Sequence, residues 1–169
     1  MLTKINDILE KLLLTIVWPL FLLYIGTIFM QVMCRSFFDV SILWLDEVAL
    51  MCFMWTIMLG AAVGLRRQVH YLVESIPDTY PLPSLILKLF AHVVVAIMIY
   101  VFIDAGWGYT KMSMWSFSTA LSVPWGYVYV SLPLSALFMI PFWVEAVMKD
   151  IQAYRNYDIA YVRDFDNEV

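Results

Sequence analysis

The run LLLTIVWPLFLLYIGTIFMQVMC, Leu12 to Cys34, holds no charged side chain over 23 residues. As a helix it extends about 34 Å, against a bilayer hydrocarbon core of about 30 Å. Around it lies a chain of 169 residues that is 63% hydrophobic, 17% aromatic and 14% charged, with mean hydropathy +0.82. Soluble domains carry about 25% charged residues, and a chain this short leaves about a third of its unfolded surface in water. So much apolar area has nowhere to hide, and the solvent is lipid. A soluble enzyme, a nucleic-acid binder and a disordered chain are excluded. The net charge of −4 is scattered over loops and tails and marks no single patch. Cys34 and Cys52 form no CxxC and read as small apolar packing residues.

Three further spans follow, at about 48–65, 85–108 and 124–146, beside a first at about 12–34. Arg66-Arg67 close the second, Lys88 snorkels at the start of the third, and Asp104 falls within about a turn of its end. Pro124 suits the first position of the fourth, which Pro133 and Pro141 should kink, as Pro19 should bend the first. The stretch 109–123, uncharged except for Lys111, fits an extension of either neighbour. The flank Lys4, Asp7, Glu10, Lys11 sums to zero and no small-residue cleavage site follows, so the first span reads as retained and not as a signal peptide. Before it, Leu2, Ile5, Ile8, Leu9 and Leu12 share roughly one helical face, predicting a short amphipathic helix at the membrane surface. The expected fold is an all-α integral membrane protein of four transmembrane helices. Its membrane domain covers 1–148 and a polar tail 149–169.

Lys and Arg set the orientation. Eight lie in the N-terminal flank, the middle loop and the tail, and two, Arg35 and Lys111, in the other loops. Both termini are therefore expected in the cytoplasm, with Trp44, Trp107, Trp115 and Trp125 at the opposite interface. No Asp, Glu, Lys or Arg is expected at any span's middle, where transporters keep costly ionisable groups. His92 reads as a neutral imidazole bonded to a neighbouring helix. No nucleophile–base pair, phosphate loop or zinc spacing occurs, so no enzyme, metal site or cofactor is expected in this chain. The geometry leaves a single haem open, with His70 and His92 as its only imidazoles.

The informative stretch is Arg35 to His70. Ser41 is placed to cap a helix whose early turns hold Asp46 and Glu47. Trp44, Glu47, Met51, Trp55, Met58 and Ala62 recur at three- and four-residue steps along one stripe. Gly60 and Gly64 form a GxxxG pair open either to close helix approach or to ordinary membrane-helix composition. Arg35 is placed to pair with Glu47 across the short loop.

Arg35, Trp44-x-x-Glu47, Trp55-x-x-x-Leu59-Gly60-Ala61, and Arg66 or Arg67 ahead of His70 together make a pattern. In order and spacing it resembles the small membrane (Q, or DctQ-like) subunit of TRAP, tripartite ATP-independent periplasmic, transporters. The resemblance implies a bacterial inner-membrane scaffold for a large membrane subunit (M) that binds substrate and sodium. A periplasmic substrate-binding protein (P) delivers organic acids such as C4-dicarboxylates or sialic acids. On that reading the face bearing Trp44, Glu47, Trp55 and Gly60 contacts the large subunit or supports the helices that do. Arg66, Arg67 and His70 would hold the cytoplasmic end among lipid phosphates or partner carboxylates. The loops Arg35–Asp46 and Lys111–Ser122 would face the binding protein. A membrane-anchor subunit of a respiratory complex, with or without haem, is the alternative.

Overall fold

The structure, a computed structural model, describes residues 2–68 and 81–168. Its helices are α1 (Leu2–Phe38), α2 (Leu43–Gln68), α3 (Pro81–Ser113), α4 (Gly126–Tyr129) and α5 (Ser131–Glu168). Four stretches are long and apolar enough to cross a membrane: Thr3–Phe38, Leu43–Arg67, Lys88–Ser113 and Gly126–Gln152. Four crossings put both termini at one end, called here the terminal end. The α1–α2 and α3–α4 loops lie at the other, the loop end.

α1 packs along α2 and also reaches α5, α2 packs on α5 and α5 on α3, whereas among the described residues α3 meets neither α1 nor α2. The main contacts thus run in the order α1, α2, α5, α3, a layer bent enough for α1 to reach α5, with α5 the most buried span and the outer two mostly exposed. Lipid tails are as apolar as leucine, so membrane helices gain little from hiding apolar faces and associate by close packing of small residues. Ala62 of α2 and Ala136 of α5 meet Leu13, Leu59, Met139 and Phe142 in the core in that way.

α1 shows the consequence for polarity. The amphipathic segment is helical but continuous with the span, with no turn between them. Its apolar Ile5, Ile8 and Leu12 point outward, while Asn6 and Leu13 are fully buried and Glu10 is mostly so. Pro19 sits inside α1 without breaking it. At the loop end Asp39, with φ 50°, turns the chain out of α1 in the left-handed region. Ser41 does not cap α2, which starts two residues later with Leu45 N–H donating to the Ile42 carbonyl.

Residues 109–113 continue α3, so Asp104 stands nine residues inside its end, about 13 Å, and not within a turn of it. Residues 114–125 then form a small hairpin. Its Phe117–Pro124 bridge is closed by Ser118 N–H to the Val123 carbonyl and Trp125 N–H to the Ser116 carbonyl, both 2.9 Å. Pro124 ends that hairpin and does not start the fourth helix. Pro133 lies in the first turn of α5; lacking an N–H, it leaves the Tyr129 carbonyl without its helical donor, which accounts for the break between α4 and α5. Pro141 is accommodated inside α5, and the helix runs on through the tail to Glu168.

Candidate functional site

The terminal end gathers the densest polar cluster. Arg66, near the end of α2, donates to Glu10 Oε2 at 2.5 Å and the Asn6 carbonyl at 2.8 Å, and pairs with Asp7. Its Nε lies 3.7 Å from Glu145 Oε2, and the guanidinium stands 5.6 Å from the Phe142 ring centroid. Arg67 holds the other Glu10 oxygen at 2.7 Å, and Lys149 pairs with Glu145 at 2.7 Å, one turn along α5. Asn6 completes the knot, donating to Glu145 Oε2 at 2.5 Å and to the Pro141 carbonyl at 3.0 Å. Three carboxylates face three cations, so the cluster is neutral and ties α1, α2 and α5. Arg66 and Arg67 therefore meet carboxylates of their own chain.

At the loop end Glu47 works differently. Its carboxylate accepts from Ser118 Oγ (2.6 Å), Thr119 Oγ1 (3.1 Å) and the Ala120 and Leu121 amides (2.9 and 2.8 Å). It fills the concavity of the hairpin turn, where backbone donors would otherwise lack partners. The expected Arg35–Glu47 pair is not formed: the turn saturates the carboxylate, and Arg35 stays exposed without an ion pair among the described residues. Asp46 instead accepts from Gln31 of α1. Trp55 donates from Nε1 to the Tyr127 carbonyl at 3.1 Å, bracing α2 against the α4–α5 break.

The predicted stripe thus divides. The side of α2 that packs inside the chain carries Leu45, Ala49, Cys52, Leu59, Ala62 and Val63. Trp44 is exposed. A Cβ added to Gly60 or Gly64 would meet nothing within 4 Å, so among the described residues no helix packs against the GxxxG. Arg66 stands nineteen residues, about 28 Å, from Glu47 along α2, so the expected residues do not converge on one spot. His70 lies outside the described residues. His92 Nε2 is 2.8 Å from Asp150 Oδ2, and Trp143 Nε1 donates to the His92 carbonyl at 3.1 Å, clamping α3 to α5.

Sequence reading missed Asn6, Asp7, Glu10 and Glu145, the hairpin donors to Glu47, and Asp150. The available signal was Asn6 and Glu10 one turn apart, with Asp7 beside them, on a segment entering lipid. Their charges enter the sequence reading only in the neutral flank sum, which says nothing of a partner on α2.

Residues 24–153 match the family described as "Tripartite ATP-independent periplasmic transporters, DctQ component". The chain is similar to the "Sialic acid TRAP transporter permease protein SiaT" of Haemophilus influenzae (strain 86-028NP), 23% identical over 141 residues. That alignment covers 82% of this chain and 23% of the relative, so the chain spans under a quarter of that protein's length. It is also similar to the "Sialic acid TRAP transporter small permease protein SiaQ" of Vibrio cholerae serotype O1 (strain ATCC 39315 / El Tor Inaba N16961). Here identity is 24% over 141 residues, covering 83% of this chain and 80% of the relative.

Proposed function

Since the chain belongs to the DctQ component family of tripartite ATP-independent periplasmic transporters, we propose that it is the small scaffold subunit of a sodium-coupled importer of organic acids. It is a multi-pass protein of the inner membrane, from a transporter family and not an enzyme family. In this reading a large membrane subunit carries the sodium and substrate sites, and a periplasmic binding protein delivers the substrate. The termini face the cytoplasm, and the Glu47-held hairpin belongs to the periplasmic end. The names of both relatives point to a sialic acid as the first substrate to assay.

The supporting observation is the open, layer-like order of the helices, in which α3 packs on α5 and meets neither α1 nor α2 among the described residues. A protein that moves a solute by itself encloses a path between helices, with polar groups converging on it. Here α1 and α3 are held apart at the layer's edges with broad apolar faces exposed. The conspicuous polar clusters lock elements to one another, the Arg66 cluster tying α1, α2 and α5 and Glu47 holding the hairpin to α2. Such a layer is suited to bracing a larger body.

Affinity purification of the tagged chain from its native membranes tests this. The expected companion is a larger multi-span subunit in fixed stoichiometry, and vesicles holding both take up organic acid only with a sodium gradient and the binding protein. A flavin or iron–sulfur companion, or uptake by this chain alone, refutes the reading.

A further inference from the structure

Among the described residues, Asp104 is the one acidic side chain well inside a span that finds no partner. It is exposed on α3, and no ion pair or side-chain hydrogen bond among the described residues includes it. Its depth follows from the packing of α3 on α5. A Cβ at Gly106 would lie 3.2 Å from Leu132 and Pro133, which sets Gly106 level with the first turn of α5. Glu145, at the plane of Arg66, is twelve or thirteen residues further along α5, about 19 Å. Asp104, two residues nearer the terminal end, therefore stands about 16 Å from that plane, while Glu47 marks the loop end about 28 Å from it. The uncharged stretch between Lys88 and Asp104 is fifteen residues, about 22 Å, too short for a 30 Å core to clear both. Lysine can snorkel on its long stem; aspartate cannot.

A carboxylate at that depth does not face lipid unattended; such groups turn inward, reach water or pair. Among the described residues Asp104 does not turn inward and has no partner. The nearest cation beyond it on α3, Lys111, is seven residues away, its ammonium 5.6 Å from the Trp107 ring centroid. The same face holds Val101, Ala105 and Gly108, all exposed, and a Cβ at Gly108 would meet nothing within 4 Å. A small-residue strip beside an unpaired carboxylate admits a second helix closely enough for a side chain to reach the acid.

We propose that the Val101–Asp104–Gly108 face of α3 docks a transmembrane helix of the large membrane subunit, and that an Arg or Lys on that helix pairs with Asp104. This deepens the scaffold reading and rests on it. The partner's charge follows from complementarity, and its helical form from the rule that backbone in lipid must be internally bonded. The pair would set the register of the two subunits and reject a neutral helix at the same place.

The test uses the whole transporter in its native membrane. Asp104→Leu and Asp104→Lys are expected to weaken association with the large subunit by about a hundredfold, the scale for removing one member of a buried charge pair. Both should leave the unfolding midpoint of the isolated small subunit unchanged or raised, because Asp104 forms no ion pair or side-chain hydrogen bond among the described residues. An Arg or Lys in the large subunit changed to Asp should rescue Asp104→Lys. A photoreactive residue at Val101 should cross-link to the large subunit. Adducts to lipid alone or to a second copy of this chain overturn the proposal, as does recovery of the large subunit undiminished by either substitution. If the unaltered chain brings down no large subunit, the scaffold reading itself fails, a result distinguishable from these.

Discussion

Replacing Arg66 by methionine should be the most destabilising single change at the terminal end. The guanidinium has 13% side-chain exposure, and Glu145 and Glu10 have 6% and 17%. Breaking a buried ion pair by removing one member costs about 3–5 kcal/mol. Two observations reduce that figure: Lys149 and Arg67 still hold Glu145 and Glu10 at 2.7 Å, and Asp7 is half exposed and can turn to water. What remains is the lost bond to the Asn6 carbonyl, which keeps its helical donor, and a cluster left with one excess negative charge, about 2–3 kcal/mol. Arg67, with 62% exposure and one carboxylate partner, should cost no more than about 1 kcal/mol. Unfolding by dodecyl sulfate in mixed micelles, followed by circular dichroism, measures both. Replacing Arg66 and Glu145 together by methionine should cost less than the two single losses added, because no charge is then stranded. Equal losses for Arg66→Met and Arg67→Met, or strict additivity in the double variant, would refute the cluster as the tie between α1, α2 and α5.

Glu47→Ala should free the hairpin without unfolding the layer. The amides of Ala120 and Leu121 are expected to exchange hydrogen at least about tenfold faster, since charge-assisted bonds contribute about 1.5–3 kcal/mol each. Unchanged exchange there would show that Glu47 does not hold the turn. Trp55→Phe removes the bond to the Tyr127 carbonyl and should lower stability by about 0.6 kcal/mol in the same titration, the average for interhelical bonds in membranes. Gly126→Ala puts a Cβ 2.5 Å from Met114 Sδ and 2.7 Å from its Cγ; forcing that side chain aside should cost about 1–3 kcal/mol, read as a lower unfolding midpoint. Gly60→Leu and Gly64→Leu should leave the isolated chain's midpoint unchanged, the space beside both being open, and reduce recovery of the large subunit if that face is also covered by it.

The Arg66 cluster and Asp104 show where sequence reading stops. That Arg66, Glu10 and Glu145 lie near span ends follows from counting along the chain. That they meet one another depends on α1, α2 and α5 ending at one level and turning particular sides inward. On α1 those sides are the reverse of a water-soluble helix: Ile5, Ile8 and Leu12 face outward and Asn6 inward. The Arg35–Glu47 expectation failed for a related reason. Proximity in sequence favoured Arg35, but a hairpin more than seventy residues away offered four donors in a ready concavity.

By itself the sequence determined the four spans, the lipid solvent and the motif from Arg35 to His70. Hydropathy and length are sums over neighbouring residues, and the bilayer's thickness converts them into a count of helices. Only the tertiary structure decided the layer order α1, α2, α5, α3, the inward sides, the partners of Arg66 and Glu47, and the depth of Asp104. Those depend on interhelical packing through small residues and on pairing across long separations, which no local sum contains.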